Sequence, residues 1–229
     1  YLITTRRSNL FKAGMHVISL RGLSDTEAYH LFINRNPDLQ GKLDIDILSQ
    51  LNHYCGGNPL QLNQAVSYIT ETGEDIEHYS MKLFRRKKNG IWDVFQKIYL
   101  HLHEHAKVDQ QYKDALCLLY WCSILNPDYI QAPYLMQLTG FTRERFNDGM
   151  RIIRSFSLVD KEYSSSMLIN QMTQRNISRV FPRDAKHTYL KKLSRMLQDE
   201  LLSVVPAHMP FQHQRRQLSS YSLAFLSKL

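Results

Sequence analysis

The stretch Cys55-Gly56-Gly57-Asn58-Pro59-Leu60 contains residues that could place a helix start beside a phosphate. Asn58 is a good N-cap residue, and Pro59 suits the first helical position because its missing N–H costs nothing there. Gly56 and Gly57 allow a sharp turn and a close approach to another surface. The amides at such a helix start favour a phosphate or another anion nearby. On these residues alone, a helix–turn–helix corner without a ligand is the more common interpretation.

Arg6 is a second residue that could contact a phosphate. Residues 1–5 are short, apolar and rich in β-branched side chains, which is typical of a buried strand in a parallel sheet. Arg6 follows that strand at its carboxyl end, where ligands bind in open α/β sheets. A guanidinium there can bind a phosphate through two hydrogen bonds, although this pattern alone is a weak indication.

Two histidines and a basic cluster are the other residues with possible site chemistry. His101 and His105 share a helix face at i, i+4, but no third ligand follows at helical spacing, so we interpret them as surface histidines. The basic run Arg85-Arg86-Lys87-Lys88 precedes Asn89-Gly90, which predicts a basic linker over residues 85–90. The sequence contains neither the GxSxG nor the HExxH motif of hydrolytic enzymes.

Composition is that of a globular protein with one large domain or two to three small ones. The chain has 229 residues, of which 43% are hydrophobic and 22% charged. Its cysteines, Cys55, Cys117 and Cys122, form no CxxC pair, which favours a reducing compartment and a cytoplasmic location. No apolar run has membrane-spanning length, so no membrane partner is expected. Because the chain opens on Tyr1 within an apolar stretch, we expect it to belong to a longer protein.

The elements that must position these residues are predicted to be mainly helices. Ser24 and Glu27 form a capping box that begins a helix, and Asn36-Pro37 ends it. A second helix follows over residues 43–55, and a third runs from Asn58 to Gly73. These three helices predict a small helical lid domain over residues 15–84.

A second helical group follows the basic linker. Helices are expected near residues 91–102, 114–123, 133–138 and 142–155. The runs 156–160 and 167–169 flank a polar turn and predict a β-hairpin, and a helix from Asn170 to before Pro182 follows. Three helices followed by a hairpin predict a winged-helix domain over residues 91–182. Helical spacing resumes after residue 183 and predicts the start of a helical, possibly repeat, C-terminal domain over residues 183–229.

With this order laid out, the chain resembles the NB-ARC type of STAND nucleotide switch, as in apoptotic and immune-receptor ATPases. The resemblance covers residues 1–182 and has four parts in chain order. The first is similar to the sensor strand that ends in TTR: Leu2-Ile3-Thr4-Thr5-Arg6. The second is similar to the entry into the lid: Leu20-Arg21-Gly22-Leu23-Ser24-Asp25-Thr26-Glu27-Ala28 with Leu31-Phe32. The third is similar to the c-G-G-l-P-L motif of the lid: Cys55-Gly56-Gly57-Asn58-Pro59-Leu60. The fourth stands where the family has Met-His-Asp: Ile169-Asn170-Gln171.

The resemblance implies that ADP or ATP is the ligand and assigns three contacts. Arg6 would sense the terminal phosphate, and residues 1–14 would be the C-terminal strand of a nucleotide-binding domain. Pro59 would pack against the adenine. Asn170 would replace the histidine that contacts the ADP phosphates, and because asparagine cannot become a cation, locking by ADP could be weaker or absent. Asn58 replaces the usual leucine, which its N-cap role explains.

The resemblance also implies an upstream nucleotide-binding domain as the partner of these residues. The phosphate loop GxxxxGK[ST] and the Mg²⁺-binding acidic strand would lie before Tyr1, so we do not expect this chain to hydrolyse ATP alone. The expected function is the regulatory part of an ATP/ADP-dependent signalling switch that controls self-oligomerisation or the binding of a protein partner.

Two other functions compete with this expectation. The first is a protein-interaction scaffold without nucleotide chemistry. The second is a DNA-binding winged helix, because the net charge is +8, the isoelectric point is near 9.4, and the helix after Thr142 is basic. Glu144 and Asp148 interrupt its basic face, whose arginines are Arg143, Arg145, Arg151 and Arg154.

Overall fold

The computed structural model describes residues 20–85, 90–159, 161–163 and 166–204. The prediction of a mainly helical chain is confirmed: these residues form ten α-helices and one small antiparallel sheet. The helices are α1 (Asp25–Arg35), α2 (Ile45–Tyr54), α3 (Pro59–Thr72), α4 (Ile76–Phe84), α5 (Gly90–His105), α6 (Gln110–Cys122), α7 (Ala132–Thr139), α8 (Arg143–Ser155), α9 (Gln171–Val180) and α10 (Arg183–Val204). The strands are β1 (Ile130–Gln131), β2 (Lys161–Tyr163) and β3 (Ser166–Leu168), and a 3-10 turn spans Pro37–Leu39.

Local capping chemistry sets the helix ends of the first core. The Ser24 hydroxyl accepts from the Glu27 amide, and the Glu27 carboxylate accepts from the Ser24 amide, as the sequence predicts. Asn58 caps α3, and Gly73 ends it in the left-handed conformation. The first core contains buried side chains from α1 to α4, with one from α5: Ala28, Phe32, Leu48, Leu51, Leu62, Ala65, Val66, Tyr79, Leu83 and Val94.

Helix α4 corrects the prediction of three helices in the first group. Asp75 caps it by accepting from the amides of Glu77 and His78. Ile76, Tyr79 and Leu83 recur at helical spacing and are buried. The sequence prediction ended the third helix at Gly73 and placed no further helix in the rest of the predicted lid domain, up to residue 84. Gly90, predicted to be linker, lies in α5, and residues 86–89 lie outside the described part.

The second core is built around the contact between α6 and α8. A Cβ at Gly149 would lie 2.8 Å from Leu118 Cδ1 and 3.2 Å from the Ala115 amide nitrogen, so glycine favours this close approach of the two helices. Buried side chains from α5 to α9 and the sheet complete the core: Phe95, Ile98, Leu102, Leu118, Trp121, Leu135, Met150, Ile153, Phe156, Met167 and Ile177.

The sheet order is β1-β3-β2, and both pairings are antiparallel. The predicted hairpin is present, with Tyr163 opposite Ser166, but its first strand begins at Lys161 and not at residue 156. Residues 156–158 instead end α8: the Ser157 amide donates to the Arg154 carbonyl, and the Leu158 amide donates to the Ile153 carbonyl. These two bonds form a Schellman motif, which competes with extension of the chain into a strand.

Helix α10 packs one side on the second core and exposes the other. Tyr189, Leu193, Met196 and Leu197 contact that core, and the Tyr189 ring lies 4.6 Å from the Trp121 ring. Within the described residues, no helix combines the length and the apolar character needed to cross a membrane. Residues 1–19 and 205–229 lie outside the described part, and the predicted domain boundaries stay predictions.

Candidate functional site

Two loops that are far apart in sequence meet at their backbones. The Leu23 amide donates to the Gly57 carbonyl at 2.8 Å. A Cβ at Gly22 would lie 2.7 Å from the Gly56 carbonyl oxygen, and a Cβ at Gly57 would lie 2.8 Å from Gly22 Cα. Gly57 also has a φ of 66°, which favours glycine. The loop before α1 and the loop before α3 therefore require glycine on both sides of their contact.

A polar network from α2 supports this contact. The Asn52 side-chain amide donates to the Leu23 carbonyl at 3.0 Å and to Asp25 Oδ1 at 2.7 Å. The Ser49 hydroxyl donates to Asp25 Oδ2 at 2.6 Å. The hydrogen bonds from Ser49 and Asn52 lower the pKa of the Asp25 carboxyl. Sequence analysis did not identify these residues, because their contacts join separate helices.

A groove of about 510 Å³ lies beside the two loops, between α1 and α3. Its wall combines apolar, amide and ionisable side chains: Leu23, Glu27, His30, Leu31, Asn34, Arg35, Pro59 and Asn63. Pro59, the predicted adenine contact, is exposed and lies in the wall of this open groove. Leu23, Leu31 and Pro59 supply an apolar surface that suits a flat ring, and the amides can hydrogen-bond its edge.

The first amides of α3 already have a partner. Asn58 Oδ1 accepts from the Leu60 amide at 3.0 Å and from the Gln61 amide at 3.3 Å. Pro59 has no N–H to offer. A phosphate at this helix start would have to displace the Asn58 side chain, so the groove suits the base of a nucleotide better than its phosphates.

Asn170 also caps a helix. Its Oδ1 accepts from the Met172 amide at 2.8 Å, so its NH₂ group is the part that could donate to a ligand. One turn further along α9, Thr173 Oγ1 accepts from Gln64 Nε2 at 3.2 Å. The structure therefore joins α3 and α9, the helices that carry Pro59 and Asn170 at their starts. Arg6 lies outside the described residues.

The histidine pair lies among aromatic rings. The His101 and His105 ring centroids are 4.3 Å apart, and His101 also lies 5.4 Å from Phe156 and 5.7 Å from Tyr68. Burial, and then the nearby His105, lower the pKa of His101. In the described part of the chain, no group of three or more His, Cys, Asp or Glu side chains is placed to hold a metal ion. His101 is thus half-buried, which corrects its interpretation as a surface residue.

Helix α8 uses two of its arginines within the protein. Arg145 Nε and Nη2 donate to the two oxygens of Asp114 at 2.9 and 2.6 Å, and Asp114 is only 5% exposed. This bidentate pairing raises the pKa of Arg145. Arg151 pairs with Asp148 at 3.4 Å. Sequence analysis did not identify the role of Asp114, because its partner comes from another helix.

Comparison with known proteins adds no assignment. No protein-family model matches this chain, and no curated protein is significantly similar to it. The functional hypothesis therefore depends on the residues and on their geometry.

Proposed function

We propose that the described residues form the lid and winged-helix parts of a STAND-type, ATP/ADP-dependent signalling switch. The observation that carries the proposal is the backbone contact between Gly22 and Gly57. The two stretches that resemble the lid motifs of this family meet there, and Pro59 follows directly in the wall of the groove. A family resemblance between separate stretches gains weight when those stretches form one structural unit.

The second core supports the winged-helix part of the proposal. Its elements follow in the order α6, β1, α7, α8, β2, β3, and β3 lies between β1 and β2. A helix–turn–helix followed by a β-hairpin that pairs with a short earlier strand is the arrangement of a winged helix. The proposed winged-helix domain, residues 91–182, contains all of these elements.

The proposed ligand is ADP or ATP, held between these residues and an upstream nucleotide-binding domain that would also hold Mg²⁺. Pro59 would pack against the adenine, and the NH₂ group of Asn170 would donate to a phosphate oxygen. Arg6 would sense the terminal phosphate. The bound nucleotide would supply the phosphoryl group, and we do not expect this chain to hydrolyse it alone.

The proposed output is a change in the contact between the two cores. Exchange of the nucleotide would shift a hinge-type equilibrium and expose surfaces for self-oligomerisation or for a protein partner. We also propose a cytoplasmic location, which the free thiols of Cys55, Cys117 and Cys122 support.

The alternatives are a nucleotide-independent scaffold and a DNA-binding winged helix. The DNA-binding hypothesis has less support, because Arg145 of α8 is held by Asp114 through two hydrogen bonds and Asp148 lies beside Arg151 on the same helix. DNA binding would give a strong, salt-dependent affinity for duplex DNA.

The nucleotide content of the longer protein that contains this chain tests the proposal. We expect stoichiometric ADP or ATP to be released on denaturation, and we expect it to be lost in Pro59→Ala. Pro133→Ala is the matched control, because Pro133 also stands in the first turn of a helix but belongs to the second core. A protein that releases no nucleotide, or equal losses of nucleotide in Pro59→Ala and Pro133→Ala, would argue for the scaffold or for DNA binding.

A further inference from the structure

Ser157 has an unusual backbone conformation for its residue type. Its φ is 53°, and among the described residues it is the only one other than glycine with a positive φ. It occupies the position after α8 where a Schellman motif usually has glycine, and Gly140 takes the same left-handed conformation in the simpler αL cap after α7. The two bonds of the motif use backbone groups, so the cap does not need the Ser157 side chain. An L-amino acid adopts this conformation at a cost, and that cost requires a compensating contact.

The Ser157 side chain makes such a contact with the first core. Its hydroxyl accepts a hydrogen bond from Arg35 Nη2 at 2.8 Å and lies 2.7 Å from Ser67 Oγ. Arg35 ends α1 and Ser67 lies on α3, whereas Ser157 follows α8 in the second core. Ser157 is 6% exposed and Ser67 is 1% exposed, so the two hydroxyls are shielded from water, whereas the Arg35 side chain reaches them from an exposed position.

The surrounding contact between the cores is partly apolar and partly polar. Helix α5 carries Val94 in the first core and Phe95 in the second, and the Tyr68 ring lies 6.3 Å from the Phe156 ring. Gln64 on α3 donates to Thr173 on α9, and both side chains are buried. Gln61, one turn earlier on α3, is 1% exposed, and neither of its amide atoms has a partner within the described residues. Buried hydroxyls and amides gain water as partners when two surfaces part, so the polar side chains of this contact oppose its separation less than apolar side chains would.

We propose that Ser157 is a latch that holds the two cores in the arrangement seen here. Its left-handed backbone directs the hydroxyl to Arg35 and Ser67, and the hydrogen bonds to those residues offset the backbone cost. Glycine at position 157 would end α8 with less strain, but it has no hydroxyl to bind Arg35 and Ser67 of the first core. The latch therefore sets how often the cores part.

Spin labels on the two cores test the latch. His78→Cys on α4 and Arg151→Cys on α8 provide label sites whose native side chains are 63% and 68% exposed. Burial raises the pKa of the thiols of Cys55, Cys117 and Cys122, so the exposed engineered thiols react first.

In the doubly labelled protein we expect one main distance between the two spin labels. In variants that lack the Ser157 contact we expect a second, longer distance between the labels. Ser157→Ala and Arg35→Met should each raise the ratio of parted to joined cores by about tenfold, the size expected for losing one hydrogen bond to a charged group. The double variant should show no more than Ser157→Ala alone, because Ser157→Ala already removes the contact with Arg35 as well as the contact with Ser67. An unchanged distance in Ser157→Ala, or additive effects of the two substitutions, would overturn the proposal.

Two glycine variants separate the latch from a general effect on folding. Ser157→Gly should part the cores as Ser157→Ala does, yet its melting temperature should be higher than that of Ser157→Ala because the strain is gone. Gly140→Ser places a serine in the left-handed cap position after α7, where nothing lies within 4 Å of its Cβ. It should lower the melting temperature and leave the distance unchanged. A longer distance in Gly140→Ser would show that strain, and not the hydroxyl contact, controls the cores.

Discussion

The backbone contact between Gly22 and Gly57 makes Gly57→Ala the most informative substitution for the groove. The new Cβ would lie 2.8 Å from both Gly22 Cα and the Leu23 amide nitrogen. Backbone atoms cannot rotate away as a flexible side chain can. The loops before α1 and α3 must therefore move apart, and the Leu23–Gly57 hydrogen bond of 2.8 Å must lengthen or break.

The neighbouring glycine provides the reference for the size of this effect. Gly56 has a φ of 61°, close to the 66° of Gly57, but a Cβ at Gly56 meets nothing within 4 Å. Gly56→Ala should therefore cost only the left-handed conformation, about 1–2 kcal/mol. Gly57→Ala adds a steric displacement of about 1–3 kcal/mol and the loss of a hydrogen bond of about 1 kcal/mol, giving about 3–6 kcal/mol in all.

Urea unfolding followed by circular dichroism measures both variants against the wild type. We expect the free energy of unfolding to fall in both, and the fall to be larger for Gly57→Ala by about 2–4 kcal/mol. The m-values should be similar if the two variants unfold from equally compact states. Equal destabilisation by the two substitutions would refute the close contact of the loops and remove the main support for the groove.

Two further predictions concern buried ionisable groups. Asp114→Ala should destabilise the second core more than Asp148→Ala in urea unfolding, because Asp114 is 5% exposed and accepts two hydrogen bonds from Arg145. Asp148→Ala removes a more exposed ion pair and should cost below about 1 kcal/mol. Similar losses of unfolding free energy in both variants would contradict the bidentate pairing of Asp114 with Arg145. The folded-state pKa of His101 lies below its ordinary value of 6.5, because the folded protein favours the neutral imidazole. The stability that this neutral imidazole contributes is therefore present above pH 6.5 and is lost as the pH falls through the lowered pKa. In His101→Phe the melting temperature should fall less between pH 7 and pH 5 than in the wild type, and an unchanged pH dependence would show that other groups cause it.

Local sequence chemistry predicted the helix ends well. Ser24, Asn58 and Gly73 act within one turn of their own position, and each has the predicted capping role. Helix α4 was not predicted, because the prediction ended the third helix at Gly73 and placed no further helix up to residue 84. The apolar run after α8 was predicted to be a strand, since its pattern does not reveal that Ser157 takes a left-handed conformation.

The contacts that define the candidate site could not be predicted in the same way. Arg35 and Ser157 are 122 residues apart, and Arg145 and Asp114 are 31 residues apart. Neither pair leaves a periodic pattern, because each depends on how separate helices pack. The sequence nevertheless indicated Pro59 as a site residue through its resemblance to a lid motif, and the structure places Pro59 in the wall of the groove.

Photo-crosslinking with 8-azido-ATP tests most directly whether the groove binds an adenine. The azide lies on the base, so the label should attach to peptides that form the groove wall, above all the one that contains Pro59 and Asn63. We expect unlabelled ATP to block this labelling. Pro59→Ala should weaken the labelling by about tenfold, because the base loses one apolar contact, and Pro133→Ala should leave it unchanged. Labelling that avoids this peptide, or that persists in excess ATP, would contradict the nucleotide-switch account.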